Sequence, residues 1–194
     1  MKKVITLFQR NYDTDRLVRD EVVPGAEWVV AGEGVATRKW DGACCMIRDG
    51  QMFKRYQLRA GKTPPAGFEP TQDPDPKTSE QPGWVPVGAG PEDKWFRLAL
   101  AAELLPDGTY EAIGPHFGGG HHSKNPEHCK QDILVPHGKC YLPDFPRSFE
   151  AIREYFTHMG RDLSTGPSIE GVVWHHPDGR MVKIKARDFG IHRS

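Results

Sequence analysis

Short stretches of alternating apolar and polar residues predict β-strands at five places along the chain. These stretches are residues 28–30, 44–47, 51–54, 171–174 and 181–185. Asp49-Gly50 joins the second stretch to the third, and Asp178-Gly179 joins the last two. Because glycine accepts the positive φ angle of a tight turn, both dipeptides predict hairpins and therefore antiparallel pairing.

Two further stretches, residues 91–105 and 147–159, carry apolar residues at helical spacing. Pro91 suits the first turn of a helix, and the second stretch begins after Ser148 and stops at Gly160, as helices commonly do. The two apolar stripes are Trp95, Leu98, Ala99, Ala102 and Leu105, and then Phe149, Ile152, Phe156 and Met159. Both stripes are typical of core packing. Helices combined with antiparallel hairpins predict an α+β fold.

The length of 194 residues predicts a single domain, 1–194, which can bury roughly 70% of its unfolded surface without disulfides or metal. A segment rich in proline and acidic residues, at about 62–91, predicts a long surface loop. The chain has no long apolar stretch and no apolar core of a signal peptide, so we expect a cytoplasmic protein that does not enter membranes. Its four cysteines are then expected to be reduced thiols.

The formal net charge is zero, which argues against a generally basic nucleic-acid coat protein. The charge is unevenly distributed, however. Residues 38–62 carry seven basic and two acidic side chains, whereas residues 63–93 carry one basic and six acidic ones. The neutral total therefore averages a cationic segment suited to phosphates with an acidic, proline-rich one.

The candidate chemistry lies in four short motifs. Lys39-Trp40-Asp41-Gly42 stands between two predicted strands, where a lysine before a turn is by itself a weak signal. Glu170-Gly171 precedes a strand, and Glu111 precedes the turn at Gly114-Pro115. Strand alternation places Lys183 and Lys185 on one face.

In this order, the motifs resemble those of the covalent nucleotidyltransferase superfamily of DNA ligases, RNA ligases and mRNA-capping guanylyltransferases. The match is carried by residues 39–42 as the nucleophile motif, 110–114 as the third, 170–173 as the fourth and 183–185 as the fifth. Residues 39–45, 83–87 and 134–138 further resemble the small ATP-dependent 5′-to-3′ RNA ligase group that has a vertebrate member. The resemblance implies a ligase adenylation fold: two antiparallel sheets with flanking helices and a central nucleotide cleft.

The resemblance also implies a role for each motif residue. Lys39 would attack the α-phosphate of ATP and carry AMP. An amine attacks in its neutral form, and a lysine ordinarily titrates at about 10.4, so cationic neighbours and partial desolvation are expected around it. Lys183, Lys185 and a divalent cation, Mg²⁺ or Mn²⁺, would supply that environment. The first metal ligand would be Glu170, because Mg²⁺ prefers carboxylate oxygen.

The remaining nucleotide contacts follow from the same resemblance. Glu111 would hold the ribose hydroxyls or a metal-bound water, and these alternatives stay open. Thr37 and Arg38 occupy the positions that contact adenine, and Asp41 belongs to the nucleophile motif. Arg55 matches the arginine that contacts the nucleotide, with Arg59 a second candidate; ordinary solvated arginines are the alternative for both.

The implied activity is ATP-dependent joining of 5′-phosphate and 3′-hydroxyl RNA ends, in RNA repair, by a monomer. AMP would pass from the lysine to the RNA 5′-phosphate and then be displaced by the 3′-hydroxyl. Two alternatives remain: adenylyl or guanylyl transfer to another acceptor, and a nucleotide or RNA-end sensor without catalysis.

Three features depart from the family pattern or compete with it. No aromatic adenine-stacking motif follows Glu111; Trp40 or Phe117 could serve, although core packing suits both. Nine residues follow Lys185, so no C-terminal oligonucleotide-binding (OB) domain is expected. The histidine-rich stretch 116–137 lacks the spacings of a zinc site, so we interpret it as a loop that contacts RNA phosphate or nucleotide, or as a solvated loop.

Overall fold

The computed structural model describes residues 2–101, 105–117, 131–159 and 169–191, and contacts divide the chain into two compact units. Unit 1 comprises residues 1–3 and 41–137, and unit 2 comprises residues 4–40 and 138–194. In chain order the elements are β1 (Ile5–Thr6), β2 (Phe8–Arg10), β3 (Val18–Val22), α1 (Glu27–Val30), β4 (Val35–Lys39), β5 (Ala43–Arg48), β6 (Gln51–Leu58), β7 (Glu69–Pro70), β8 (Gln81–Pro86), α2 (Lys94–Ala101), β9 (Gly108–Ile113), β10 (Ile133–Pro136), α3 (Phe149–Met159), β11 (Gly171–His175) and β12 (Met181–Lys185). Short 3-10 helices cover Pro91–Asp93 and Ala186–Phe189.

Unit 1 is built on an antiparallel sheet with the strand order β10-β9-β5-β6-β8-β7. Its core contains Cys45, Ile47, Tyr110 and Ala112, and residues of α2 pack against it. Residues opposite each other on neighbouring strands share a sheet face, so Cys45 and Tyr110 point into this core together. Their neighbours in the chain, which include Cys44 and Glu111, therefore lie on the other face.

Unit 2 contains a four-stranded sheet, in the order β1-β12-β11-β4, and a separate β2-β3 hairpin. The strand β1 runs parallel to β12, and the other pairs in this sheet are antiparallel. Val172, Val182 and Ile184 pack on one face together with Ile152 and Phe156 of α3. The opposite face, which carries the odd-numbered residues of β12, remains for polar side chains.

Four of the five predicted strands are confirmed: β5, β6, β11 and β12. Both predicted hairpins form. At the first, Arg48 pairs with Gln51, and Asp49 and Gly50 have φ angles of 52° and 72°. Two consecutive positive φ angles match the right-handed twist of the flanking strands.

The second predicted helix is confirmed as α3, and the first corresponds to the 3-10 turn at Pro91–Asp93 followed by α2. Residues 102–104 and Gly160 lie outside the described part of the chain. Leu105 packs against the core of unit 1, as its place in the apolar stripe predicts.

The strand predicted over residues 28–30 is wrong, because these residues belong to the helical turn α1. The Trp28 indole N–H donates to the Gly25 carbonyl at 3.1 Å, and Trp28 and Val29 are both buried. Adjacent buried residues break the alternation of a half-buried strand, but three apolar residues are too few to reveal this from the sequence.

The continuous surface loop predicted at 62–91 is also wrong in part, because it contains β7 and β8. Trp84 is only 4% exposed, and its strand pairs with β6 over six residues. Gly83 makes room for a neighbouring ring: a Cβ there would lie 2.2 Å from Phe68 Cε2. The high proline content concealed a strand whose apolar side chains are buried.

The predicted α+β class with antiparallel sheets is confirmed. Among the described residues there are three sheets rather than the expected two, since β2 and β3 pair apart from the others. The ligase adenylation fold, its central cleft, the single-domain organisation and the lack of an OB domain stay predictions.

Candidate active site

Three lysines lie on one face of the unit 2 sheet because of its strand register. Gly171 of β11 stands opposite Lys39 on one side and Lys185 on the other. In the next row, Val173 stands opposite Thr37 and Lys183. Residues in register share a face, so the three predicted catalytic lysines belong to one surface.

Glu170 joins two of these lysines. Its Oε2 accepts from Lys39 Nζ at 2.5 Å, and its Oε1 is 2.5 Å from Lys185 Nζ. The carboxylate is 9% exposed, so these contacts form in surroundings with little water, where charge pairs interact more strongly. Glu170 therefore holds both ammonium groups in a defined position.

Gly171 is required by close backbone packing. A Cβ at this position would lie 2.2 Å from the Ile184 carbonyl oxygen and 2.9 Å from the Lys185 Cα. Any side chain would push β11 and β12 apart. The glycine of the Glu-Gly motif thus keeps Glu170 beside the lysines.

The three lysines repel one another, and the pKa values of Lys183 and Lys185 show the effect. Burial, followed by the charges of Lys185 and Lys39, lowers the pKa of Lys183 to about 8. Burial and Lys39 also lower the pKa of Lys185, while Glu170 opposes that shift. Three lysines facing one bridging carboxylate leave excess positive charge, and a phosphate group would offset it.

Asp188 supports this arrangement and was missed by the sequence analysis. It is almost fully buried, accepts from the Lys185 backbone N–H at 2.9 Å and pairs with Arg10. Its position three residues after the lysine motif, within a 3-10 turn, is the local signal that could have identified it. Asp188 positions Lys185 at the end of β12.

Thr37 and Arg38, the predicted adenine contacts, lie on opposite faces of β4. Thr37 is 2% exposed, donates to the Val173 carbonyl and is 3.0 Å from His175 Nε2. The Arg38 guanidinium stacks over the Trp40 ring at 4.1 Å. Sequence reasoning missed His175, because its position at the end of β11 is the only signal that the sequence offers for it.

The nucleophile motif spans the boundary between the units, since Trp40 ends one segment of unit 2 and Asp41 begins the next segment of unit 1. Asp41 is half-buried. Gly42 donates its backbone N–H to Glu111 Oε1 at 3.0 Å. A Cβ at Gly42 would lie 2.1 Å from the Ala112 carbonyl oxygen, so close contact with β9 requires this glycine.

Glu111, the other predicted metal ligand, has different neighbours within unit 1. It is 8% exposed, and its Oε2 lies 3.0 Å from His137 Nε2. Cys44 stands directly opposite Glu111 in the strand register. One donor atom each from Cys44, Glu111 and His137 lie within 4.8 Å of one another.

Two curated proteins match this chain, although no family model does. Zebrafish (Danio rerio) RNA ligase 1 is 30% identical over 91 residues, which cover 46% of this chain and 26% of that protein. Mouse (Mus musculus) RNA ligase 1 is 26% identical over 137 residues, which cover 57% of this chain and 40% of that protein. The chain is therefore similar to these two RNA ligases over part of its length. It matches less than half of the length of either relative.

The two predicted nucleotide-contacting arginines have different surroundings within unit 1. Arg55 lies on β6, is half-buried and stacks over Trp84 at 5.2 Å. Burial lowers its pKa, and the nearby Cys44 partly opposes that shift. Arg59 is exposed and directly follows β6.

Phe117 and His116, which the sequence suggested for contacts with adenine and with RNA or nucleotide, have different surroundings within unit 1. Phe117 is buried in the unit 1 core against Phe96, which favours packing over adenine stacking. His116 stacks on Trp95 and contacts Asp132 at 2.7 Å. Residues 118–130, most of the predicted histidine loop, lie outside the described residues. No helix in the described segments is long and apolar enough to cross a membrane.

Proposed function

We propose that this protein is an ATP-dependent RNA ligase that joins 5′-phosphate to 3′-hydroxyl ends through a lysyl-AMP intermediate. The observation that carries the proposal is the grouping of Lys39, Lys183 and Lys185 on one sheet face, with Glu170 between Lys39 and Lys185. The related proteins are named RNA ligases, which supports RNA ends as the substrate.

In the first step Lys39 acts as the nucleophile. Its amine loses a proton, its lone pair forms a bond to the α-phosphorus of ATP, and the bond from that phosphorus to the bridging oxygen breaks to release pyrophosphate. Glu170 positions Lys39 through the 2.5 Å contact. Lys183 and Lys185 are placed to stabilise negative charge on the phosphate oxygens as the leaving group departs.

The two later steps regenerate the lysine and join the RNA. An oxygen of the RNA 5′-phosphate attacks the lysine-bound phosphorus, the phosphorus–nitrogen bond breaks, and Lys39 takes up a proton. The RNA 3′-hydroxyl then attacks the 5′-phosphate, loses its proton and displaces AMP. Each step exchanges one bond to phosphorus, so the same cationic face serves all three.

The side chains of unit 2 are compatible with Mg²⁺. This ion is commonly bound through one or two carboxylates together with substrate phosphates and water, and Glu170 offers two carboxylate oxygens beside the lysine face. Glu170 Oε1 would hold the ion in exchange for its contact with Lys185, while Oε2 would keep its contact with Lys39. Bound Mg²⁺ would offset phosphate charge.

The decisive experiment is covalent labelling with ATP that carries the label on its α-phosphate. We expect the unmutated protein to become labelled and Lys39→Ala to give only background, because no amine remains to attack. Lys77→Ala, which removes an exposed lysine, is the matched control and should label normally. Full labelling of a folded Lys39→Ala protein would refute the mechanism.

A second arm tests the acceptor. The labelled protein is offered a nicked hairpin RNA with a 5′-phosphate, and we expect a sealed product and AMP. Labelling by GTP instead of ATP, or transfer to something other than RNA, would point to another nucleotidyltransferase. ATP binding without label or product would point to a sensor.

A further inference from the structure

Cys44, Glu111 and His137 form a cluster of three different donor types on adjacent strands of unit 1. Cys44 lies on β5, Glu111 lies on β9, and His137 directly follows β10. The sheet order β10-β9-β5 makes these three strands neighbours. We propose that this cluster binds a divalent metal ion of the zinc class.

The backbone register brings the three side chains to one sheet face. Cys44 and Val135 both stand opposite Glu111, one on each side of β9. His137 follows Val135 by two residues, and its backbone N–H donates to Thr109. Side chains two apart along a strand point the same way, so all three donors meet on the face away from the α2 core.

The spacing of the donor atoms is close to that of metal ligands. Two ligands that are each about 2.0–2.1 Å from a tetrahedral zinc ion lie about 3.3 Å apart. His137 Nε2 and Glu111 Oε2 are 3.0 Å apart, and the whole donor set spans no more than 4.8 Å. Small side-chain rotations that move the donor atoms by about 1 Å would bring them to the spacing of tetrahedral zinc ligands.

The types of donor select the metal. Magnesium and calcium prefer oxygen ligands, whereas a thiolate and an imidazole favour zinc and similar transition metals. Arg55 also lies close enough to Cys44 to interact with it electrostatically. Three protein ligands leave a fourth tetrahedral position for water or another exchangeable ligand.

His137 provides a second sign of a ligand. Its Nδ1 is buried and has no hydrogen-bond partner among the described residues. Buried polar atoms nearly always have a partner, and an ion is one recognised reason for an exception. Because the spacing above assigns Nε2 to the metal, Nδ1 would carry the ring proton and donate it to a water molecule, as the second nitrogen of a metal-bound histidine commonly does.

The test is zinc binding by the full chain, measured by competition with a chromophoric chelator under reducing conditions. We expect Cys44→Ser, Glu111→Gln and His137→Asn to weaken binding by more than the roughly 10–100-fold typical of losing an outer-shell partner. Cys140→Ser, a half-buried cysteine of unit 2, is the matched control and should bind normally. A change of less than tenfold in Cys44→Ser would overturn the proposal.

Cobalt provides a readout that does not depend on the variant's stability. The Co²⁺ complex of the unmutated protein should show thiolate-to-cobalt charge-transfer absorption, and Cys140→Ser should keep it. The lack of that band in the unmutated protein would also overturn the proposal. Because neither measurement uses ATP, failure of the zinc site and failure of covalent labelling are distinguishable.

Discussion

Glu170 and Glu111 are two carboxylates with nearly the same burial, 9% and 8% exposed, but their surroundings differ completely. Glu170 in unit 2 contacts the ammonium groups of Lys39 and Lys185. Glu111 in unit 1 contacts His137 and lies opposite Cys44. Burial alone therefore does not define what a carboxylate does. The neighbours determine which ligand each carboxylate would suit: the cations around Glu170 would favour phosphate, and the sulfur and nitrogen donors around Glu111 would favour the proposed metal.

The two sites also differ in how the chain builds them. In unit 2 the glutamate lies just before the strand, and Gly171 lets it remain beside lysines from both neighbouring strands. In unit 1 the glutamate is within its strand and is held by the Gly42 backbone N–H. Both arrangements rely on a glycine that packs against a backbone carbonyl, so the two sites can be tested with parallel variants.

The largest expected effect separates the two carboxylates by function. Glu170→Gln removes the negative charge between Lys39 and Lys185, so Lys39 loses its positioning contact and the metal its proposed ligand. We expect the initial rate of labelling by ATP to fall by about 10³-fold. Zinc binding should remain within twofold, because Glu170 takes no part in the unit 1 cluster.

Glu150→Gln is the matched control for this comparison, since Glu150 is an exposed residue on α3 that pairs with Arg153 on the same helix. It should label at the normal rate. If Glu170→Gln weakened zinc binding as strongly as labelling, the two carboxylates would not be serving separate chemistries.

A smaller effect, on stability, is expected from the two glycines. An alanine Cβ at Gly171 or Gly42 would overlap a backbone carbonyl oxygen, at 2.2 and 2.1 Å respectively. We expect each substitution to lower the free energy of unfolding by about 3 kcal/mol, as measured by urea denaturation. Gly88→Ala, whose Cβ would lie 3.6 Å from Asp93 Oδ2, should change it little. Equal stability of all three variants would show that these strands can move apart without cost.

Sequence reasoning reached the unit 2 site because each of its motifs is a short contiguous pattern. Alternation correctly placed Lys183 and Lys185 on one face, whereas the close approach at Gly171 became visible only in the structure. The link from Lys39 to Glu170 spans 131 residues and came from the family resemblance rather than from spacing. Cys44 and His137 share no motif, because their proximity arises only from the strand order β10-β9-β5. The same limit applies to residues 28–30, where three apolar residues fit a strand or a helical turn equally well.

The smallest expected effect is on the free energy of unfolding, which is lowered when several lysines lie on one face. Burial and the charges of Lys185 and Lys39 hold the pKa of Lys183 at about 8, below its ordinary 10.5. Lys183→Met keeps an unbranched side chain, one atom shorter, and removes the charge. At pH 7 we expect the variant to be more stable than the unmutated protein by about 1–2 kcal/mol, while ATP labelling falls because a phosphate contact is lost.

The pH dependence gives this prediction its sign. Below pH 8 the Lys183 side chain is protonated in both folded and unfolded chains, so the stability gained by Lys183→Met is constant there. Between pH 8 and 10.5 the unfolded chain binds more protons at this residue, so the unmutated protein gains stability relative to the variant. Their difference in free energy of unfolding should therefore shrink towards zero across this window.

Lys54→Met in unit 1, which would leave the buried Asp93 without its lysine, should instead destabilise the protein. A loss of stability in Lys183→Met at pH 7 would mean that its attraction to Asp188 and Glu170 outweighs burial and repulsion from the other two lysines.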